Sequence, residues 1–131
     1  MNRYEPLPAE TELIAKEIVD SAFKIHIRLG PGLLENVYEA CMSHELSRRN
    51  LPFKTQVSMP VVYEGLRLET GFRLDLVVAE RVVVELKAVE KMLPLFEAQL
   101  LTYLKLSGLR LGLLINFNVP VIKDGIKRII V

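Results

Sequence analysis

RLDLVVAERVVVELK, residues 73–87, predicts two antiparallel strands joined by a tight turn. Both halves are rich in leucine and β-branched residues, and a three-residue loop centred on Glu80 separates them. In the register that this loop sets, Asp75 lies directly opposite Glu85. One face of the hairpin is then expected to carry Leu74, Leu76, Val78, Val82, Val84 and Leu86, and the other face Asp75, Glu85 and Lys87.

The opposed carboxylates of this hairpin need a compensating charge. Side chains directly across an antiparallel pair have Cβ atoms about 4.5–5.5 Å apart, and like charges at that distance destabilise the sheet. Lys87 lies on the same face as Glu85 and supplies one positive charge. A hard divalent cation such as Mg²⁺ would supply two more through the oxygen ligands that it prefers. The hairpin alone leaves two interpretations open, a structural acid–base cluster and a metal site.

The apolar periods elsewhere in the chain predict a mixed β-sheet flanked by helices, an α/β (α+β) fold. Helices are expected over residues 11–29, about 33–49 and 94–107, and strands over residues 56–63, 66–68, 72–78, 82–86, 111–117 and 126–131. The third helix connects the strands at 82–86 and 111–117, so these two strands are predicted to be parallel.

Composition limits the classes of function. A length of 131 residues predicts one domain over residues 1–131. One cysteine, Cys41, and two histidines are too few for a structural zinc site or an iron–sulfur cluster, and no disulfide can form within the chain. The N-terminal segment is too acidic for a signal peptide and no apolar run reaches the roughly 18 residues that span a membrane, so a cytoplasmic protein is expected. The net charge of +1 leaves any nucleic-acid contact to a local basic patch.

Two further patterns place polar residues where packing does not require them. Gly32, Glu35 and Tyr38 form G-x-x-E-x-x-Y at the start of the second helix. An acidic residue in a first turn also complements the helix dipole, so a structural interpretation stays open. Gln99 and Tyr103 are four residues apart on the third helix and face the same direction within a leucine-rich segment. They form either a hydrogen-bonded core pair or part of a site.

Several basic side chains have two interpretations. His26 lies one helical turn before the corner that ends the first helix, from which it could approach Glu35, and a core or surface histidine is the alternative. Arg48, Arg49 and Lys54 are placed where they could contact phosphates, although a solvated helix end is the default expectation.

In combination these residues resemble the GxxExxY protein family, small bacterial and archaeal proteins placed in the PD-(D/E)XK nuclease superfamily. The core motif of that superfamily is an Asp followed by Glu/Asp-x-Lys on the adjacent strand, and Asp75, Glu85 and Lys87 are similar to it. Leu74 stands where the superfamily's name has a proline, a position that is loosely kept. The pattern over residues 99–103 is similar to the Q-x-x-x-Y motif of the RecB-like exonuclease branch.

The resemblance implies a restriction-endonuclease-like PD-(D/E)XK core and a Mg²⁺- or Mn²⁺-dependent nuclease that hydrolyses DNA phosphodiester bonds. The implied catalytic residues are Glu35, Asp75, Glu85 and Lys87, and the implied metal ligands are Asp75, Glu85, Glu35 and the carbonyl of Leu86. Supporting or DNA-binding roles fall to Gln99, Tyr103, Tyr38 and His26. DNA is the expected partner, with a homo-oligomer or a protein partner left open and no membrane. The alternatives are a non-catalytic nucleic-acid-binding or protein-interaction module on the same fold, or a subunit that needs a partner for activity.

Overall fold

The computed structural model describes residues 5–131, which form three α-helices, five strands and one 3₁₀ turn. In chain order they are α1 (Ala9–Leu29), α2 (Glu35–Arg48), β1 (Phe53–Tyr63), β2 (Leu66–Val78), β3 (Val82–Lys87), α3 (Pro94–Ser107), β4 (Leu111–Asn116), the 3₁₀ turn (Ile122–Gly125) and β5 (Ile126–Ile130). One mixed sheet has the order β1-β2-β3-β4-β5, with β3 and β4 parallel and the other neighbours antiparallel. The predicted fold class and the parallel pair are confirmed. No helix within residues 5–131 is long and apolar enough to cross a membrane.

Strand β2 differs from the prediction, because residues 66–68 and 72–78 belong to one strand rather than two. The polar residues between them have the composition of a loop, but they stay extended beside β1, whose register shifts around Pro60. Proline has no N–H to donate, so it is tolerated at such an irregularity. Gly71 passes so close to β1 that an added Cβ would lie 2.2 Å from a methyl group of Val61. The β1–β2 hairpin is therefore one long, continuous antiparallel part of the sheet.

The sheet separates two hydrophobic clusters. Helices α1 and α2 cover one face, where their buried residues pack against those of β3 and β4. Helix α3 covers the opposite face, where Leu100 and Leu104 pack with Leu74, Val83 and Leu114. Strands β3 and β4 are thus buried on both faces, which explains their continuous apolar runs.

The β2–β3 hairpin has the predicted register, with Leu76 opposite Val84. The prediction for Leu74 is wrong, since Leu74 lies in the α3 cluster whereas Leu76 lies in the α1–α2 cluster. Residues at that spacing in a regular strand share a face. The alternation of β2 is therefore interrupted at Asp75, the residue between them.

Strand β1 has the same interruption at the same level of the sheet. The register places Gln56 opposite Asp75, and regular pairing resumes on either side of this position. Gln56 has a φ of 50°, in the left-handed region that residues other than glycine seldom adopt. Val57, the next residue, packs in the α3 cluster. The two strands thus change faces together, and this is the physical reason for the position of Leu74.

Helix α3 begins at Pro94 and ends at Ser107, with Gly108 as its C-cap, as predicted. Gly108 has a φ of 80° and donates its N–H to the carbonyl of Leu104. At Gly112 of β4 an added Cβ would lie 2.9 Å from the side chain of Leu100, so the helix rests directly on the sheet. This contact fixes which face of the sheet lies under α3, and Val83, next to Glu85 on the same face, is packed there.

Candidate active site

A cavity of about 220 Å³ lies between α3 and the sheet at the open end of the β2–β3 hairpin. Its lining residues are Glu35, Arg73, Asp75, Glu85, Lys87, Phe96, Gln99, Leu100, Tyr103 and Leu114. Six of the residues singled out in the sequence therefore meet at one pocket, although they come from two helices and two strands. We refer to this cavity as the acidic pocket.

Asp75 and Glu85 are anchored by each other's strand. The backbone N–H of Asp75 donates to Oε2 of Glu85 at 3.2 Å, and the backbone N–H of Leu86 donates to Oδ2 of Asp75 at 3.0 Å. The regular ladder of β2 and β3 ends one pair earlier, at Leu76 and Val84. Carboxylates thus take the place of backbone carbonyls where the two strands separate, and the two acidic side chains are held at the same point.

Burial makes this pair electrostatically unusual. Glu85 is only 7 % exposed. Burial and the neighbouring charge of Asp75 raise the pKa of Glu85 to about 9, and a hydrogen bond between the two carboxyl groups adds to the shift. Lys87 opposes this rise. In the metal-free protein at neutral pH, Glu85 therefore holds a proton that a bound cation would displace.

Glu35 lies at the rim of the acidic pocket, as the first residue of α2. Partial burial and the charge of Asp75 raise its pKa, whereas Lys87 lowers it. In the part of the chain that the structure describes, no three acidic, histidine or cysteine side chains form a group that could hold a metal ion. The role of Glu35 as a third metal ligand beside Asp75 and Glu85 therefore stays a prediction. Because Glu35 follows the α1–α2 corner directly, it reaches the rim and not the centre.

Tyr38 holds this corner together from inside the protein. Its ring is fully buried and stacks on Phe117 with 4.4 Å between centroids. Its hydroxyl donates to the carbonyl of Gly30 at 2.7 Å and accepts the N–H of Leu33 at 3.2 Å. Tyr38 does not line the acidic pocket, so the structure gives it no direct contact there. It fixes the turn from which Glu35 emerges.

His26 is a core residue rather than a neighbour of the acidic pocket. It is 8 % exposed, and its Nε2 lies 2.8 Å from the carbonyl oxygen of Val119. This contact ties the last turn of α1 to the segment after β4. Of the two interpretations of His26, the structure has the core histidine, because the imidazole lies on the inner face of the helix.

Lys87 projects into the acidic pocket beside an aromatic ring. Its Nζ lies 4.3 Å from the centroid of Phe96, the third residue of α3. A cation over an aromatic face is attracted by the ring quadrupole, with a contribution of about 0.5–2 kcal/mol. This contact holds the ammonium group of Lys87 in place next to the two carboxyl groups.

Gln99 and Tyr103 lie one turn apart on the side of α3 that faces the pocket. Both are half-buried, which differs from a pair enclosed in the core. The ring of Tyr103 stacks on Phe72 with centroids 4.9 Å apart. Burial, followed by the charges of Glu85 and Asp75, raises the pKa of Tyr103. Its hydroxyl therefore stays protonated and is available as a hydrogen-bond donor.

Two residues of this region were not identified in the sequence. Arg73 lines the acidic pocket from β2, but an arginine in a strand gives no distinctive signal. Asn116 is 1 % exposed at the end of β4, and its side chain bonds to both the N–H and the carbonyl of Val89. It thereby fixes the segment that leads from Lys87 to α3. A polar residue ending the apolar run LGLLIN is the signal that could have revealed it.

This combination of fold and pocket defines a class of protein. A mixed sheet between helices, with an acidic pair where two antiparallel strands separate and a lysine two residues further on, is the arrangement of a restriction-endonuclease-like domain. The family model described as the PD-(D/E)XK nuclease superfamily matches residues 12–129, and the chain belongs to this superfamily. No curated protein and no solved structure matches the chain. Membership indicates a nuclease acting on nucleic acid, a chemistry for which the superfamily generally uses divalent metal ions.

Proposed function

We propose that this protein is a Mg²⁺-dependent nuclease that hydrolyses DNA phosphodiester bonds at the acidic pocket. The observation that carries the proposal is the opposition of Asp75 and Glu85, each of whose carboxyl groups accepts a backbone N–H from the other's strand, with Lys87 lining the same cavity. Packing gains nothing from the contact of buried Glu85 with Asp75, because burial and the charge of Asp75 raise the pKa of Glu85 to about 9. A cation that binds both carboxylates would relieve their repulsion, and this relief would contribute to the affinity for the cation.

The donor atoms of the pocket fit a hard divalent cation. Mg²⁺ prefers oxygen ligands and is commonly held by one or two carboxylates together with water and substrate phosphate. Asp75 and Glu85 would be the principal ligands, since a backbone N–H fixes the orientation of each carboxylate. The carbonyl of Leu86 and the rim carboxylate of Glu35 would complete the set. When bound, such an ion supplies an activated water and neutralises charge on the phosphate.

The other side chains of the pocket would bind and orient the substrate. The ammonium group of Lys87, held against Phe96, would position the attacking water and offset the negative charge of the phosphate. Glu35, whose pKa is raised, would orient a water molecule at the rim. The amide of Gln99 and the protonated hydroxyl of Tyr103 would donate hydrogen bonds to phosphate oxygens.

Within the superfamily we assign the chain to the GxxExxY group. The support is that Gly32, Glu35 and Tyr38 have separate physical roles at one corner. Gly32 has a φ of 99°, Glu35 faces the pocket and Tyr38 fixes the turn. The contribution of Gln99 and Tyr103 to the same pocket supports a relationship to the RecB-like branch.

The second candidate function is binding without catalysis, or activity only within a larger assembly. A binding module has no use for opposed carboxylates, because they would repel phosphate in the absence of metal. The low net charge of +1 keeps the assembly alternative open, since a domain of this size has little positive surface with which to hold DNA.

The deciding experiment is a cleavage assay with linear, nicked and single-stranded DNA and a matching RNA. Each substrate is incubated with Mg²⁺, Mn²⁺ or EDTA. We expect hydrolysis of DNA by the wild type with metal and none in EDTA. The variant Lys87→Ala should be slower by a factor of about 100 or more. Lys91→Ala, which removes an exposed lysine four residues further on, should retain the wild-type rate. Cleavage in EDTA, or equal rates for the two variants, would contradict the proposal, and an inactive wild type would favour the assembly alternative.

A further inference from the structure

A second concave surface lies between α3 and the β1–β2 hairpin, on the same side of the sheet as the acidic pocket. It encloses about 400 Å³. Gln99 and Tyr103, which lie one turn apart on α3, line both this surface and the acidic pocket. The two cavities therefore adjoin along α3. We refer to the second surface as the apolar groove.

The lining of the apolar groove is uncharged. Its walls are formed chiefly by residues of the β1–β2 hairpin and of α3, namely Val61, Gly71, Phe72, Leu95, Thr102 and Leu106. Within residues 5–131, no acidic or basic side chain lines it, whereas three carboxyl groups and two cationic side chains line the adjoining acidic pocket. A charged group would lose hydration on the apolar walls. The groove therefore suits the uncharged part of a ligand whose charged part lies in the acidic pocket.

Helix α3 presents apolar residues on two of its sides. Leu100 and Leu104 are fully buried against the sheet. Leu95 and Leu106 border the groove and are 59 % and 48 % exposed. They are about three helical turns apart, so they lie on one side of α3 and bound a groove about 16 Å long. Apolar surface that folding leaves exposed beside a pocket is typical of a ligand-binding surface.

An aromatic pair lies where the apolar groove meets the acidic pocket. Phe72 lines the groove and Tyr103 lines both cavities, and their stacked rings are inclined by only 13°. Both residues are half-buried, so both keep accessible surface. Nucleobases of any kind stack on accessible aromatic side chains, because every base has a π-face. The pair is therefore a candidate platform for a base.

A nucleotide has the same division of chemistry as the two cavities. Its phosphate is charged and belongs with the cation of the acidic pocket, whereas its base is flat and uncharged. The base is also attached to the phosphodiester that the acidic pocket is proposed to bind, which favours it over other apolar ligands. In a duplex the bases are paired and stacked inside the double helix. They can reach the groove only from a strand that is unpaired at this point.

We propose that the apolar groove binds unpaired bases of the substrate strand next to the phosphodiester in the acidic pocket, so that the protein acts on single-stranded or locally unpaired nucleic acid. This inference rests on the proposed function, because it takes the ligand to be the nuclease substrate. The rings of Phe72 and Tyr103 stack on a base, and Leu95 and Leu106 contact the bases from the side of α3. Stacking depends on no particular base, so the preference is for an unpaired strand and not for a sequence.

The test measures how much the bases contribute to binding. Fluorescence anisotropy in EDTA compares an oligothymidylate of about 12 nucleotides, an abasic strand of the same length and a blunt duplex of the same length. The ratio of the first two affinities reports contacts to bases, because both strands have the same phosphates. The wild type should bind the oligothymidylate about 10 to 100 times more tightly than the abasic strand, the range expected for one stacked base. The duplex should bind more weakly than the oligothymidylate.

Two groove variants and a control decide whether the apolar groove provides this preference. Leu95→Ser/Leu106→Ser should lower the ratio about fivefold, which corresponds to the loss of roughly 40 Å² of apolar contact. Phe72→Leu removes an aromatic ring, keeps an apolar side chain and should also lower the ratio about fivefold. The control Leu13→Ser/Ile27→Ser changes two exposed residues of α1, on the other side of the sheet, and should keep the wild-type ratio.

Thermal unfolding shows whether each variant is folded, and Leu95→Ser/Leu106→Ser should fold because both side chains are exposed. A wild-type ratio near one, no measurable binding of the oligothymidylate, or a folded groove variant with the wild-type ratio would overturn the inference. The same holds if Leu95→Ser/Leu106→Ser converts a dimer into a monomer in sedimentation and keeps the ratio, since the groove would then be a contact between two copies.

The two proposals can fail separately. If the wild type cleaves DNA while the ratio is near one, the base-binding groove fails and the nuclease proposal stands. If the groove variants lower the ratio but no condition gives cleavage, the base-binding groove stands and the nuclease proposal fails.

Discussion

Glu45 and Glu85 are both 7 % exposed, yet their environments have opposite effects on their charge. Burial alone would raise the pKa of Glu45, but Lys24 and Arg49 bind it and lower the pKa overall. Glu85 has Asp75 as its neighbour, so burial and repulsion act together and its pKa rises to about 9. The charge of the neighbouring side chain, together with burial, therefore separates a structural position from a candidate site.

The largest expected effect of this difference is on cleavage. Glu85→Gln should reduce metal-dependent hydrolysis by a factor of about 100 to 1000, because it removes a proposed ligand and keeps the shape of the side chain. Glu45→Gln should leave hydrolysis of a short oligonucleotide unchanged. Single-turnover rates with Mg²⁺ measure both. A comparable loss of cleavage in the two variants would show that the difference between the environments of Glu45 and Glu85 does not matter for function.

The second effect is on stability, and its sign should differ between the two positions. Glu45→Gln should lower the free energy of unfolding by about 1–2 kcal/mol, since Lys24 and Arg49 lose a charged partner. Glu85→Gln should raise it by about 1–3 kcal/mol at pH 7 without metal, because glutamine needs no proton to be neutral. Urea denaturation in EDTA measures both values. Destabilisation at both positions would favour a structural ion pair at Glu85.

The third effect is on the pH dependence of the metal-free protein. Glu85 binds a proton up to about pH 9 when folded but only to about pH 4.5 when unfolded, so the folded state holds more protons between these values. The stability of the wild type relative to Glu85→Gln should therefore fall as pH rises, by at most about 1.4 kcal/mol per pH unit. Denaturation at pH 5.5, 7 and 8.5 measures the difference. If the wild type instead gained stability relative to Glu85→Gln as pH rises, the pKa of Glu85 would be lowered in the folded protein.

The smallest effect concerns Gln99 and Tyr103, which border the pocket. Gln99→Leu and Tyr103→Phe should change the free energy of unfolding by no more than about 1 kcal/mol, the net contribution of one hydrogen bond. Both should still weaken cleavage or DNA binding. Thermal melts and cleavage rates decide whether the pair belongs to the site or to the core. A variant with a much lower melting temperature, but with wild-type cleavage at a temperature where it is folded, would make the pair part of the core.

Much of the fold could be predicted because its determinants are local. The register of the β2–β3 hairpin depends on a three-residue turn and on apolar alternation within residues 73–87, and the structure has that register. The face on which Leu74 packs could not be predicted in this way. It depends on the left-handed conformation of Gln56, which belongs to another strand.

The sequence was enough to predict which residues form the candidate site, but not how all of them are arranged in space. The spacing of Asp75, Glu85 and Lys87 follows from one hairpin, whereas the side of the sheet that α3 covers depends on packing at Gly112. Tyr38 and His26 were also candidates from the sequence, but their hydrogen bonds with Gly30 and Val119 place both away from the pocket.

The central claim is that Asp75 and Glu85 together bind a divalent cation, and calorimetric titration with Mn²⁺ tests it most directly. At pH 7, in buffers of different ionisation enthalpy, the wild type should release close to one proton per bound cation, because the pKa of Glu85 is raised to about 9. Glu85→Gln should lose the binding, and Glu45→Gln should retain it with the same proton release. Unchanged Mn²⁺ affinity in Glu85→Gln, or binding by the wild type without proton release, would contradict the claim.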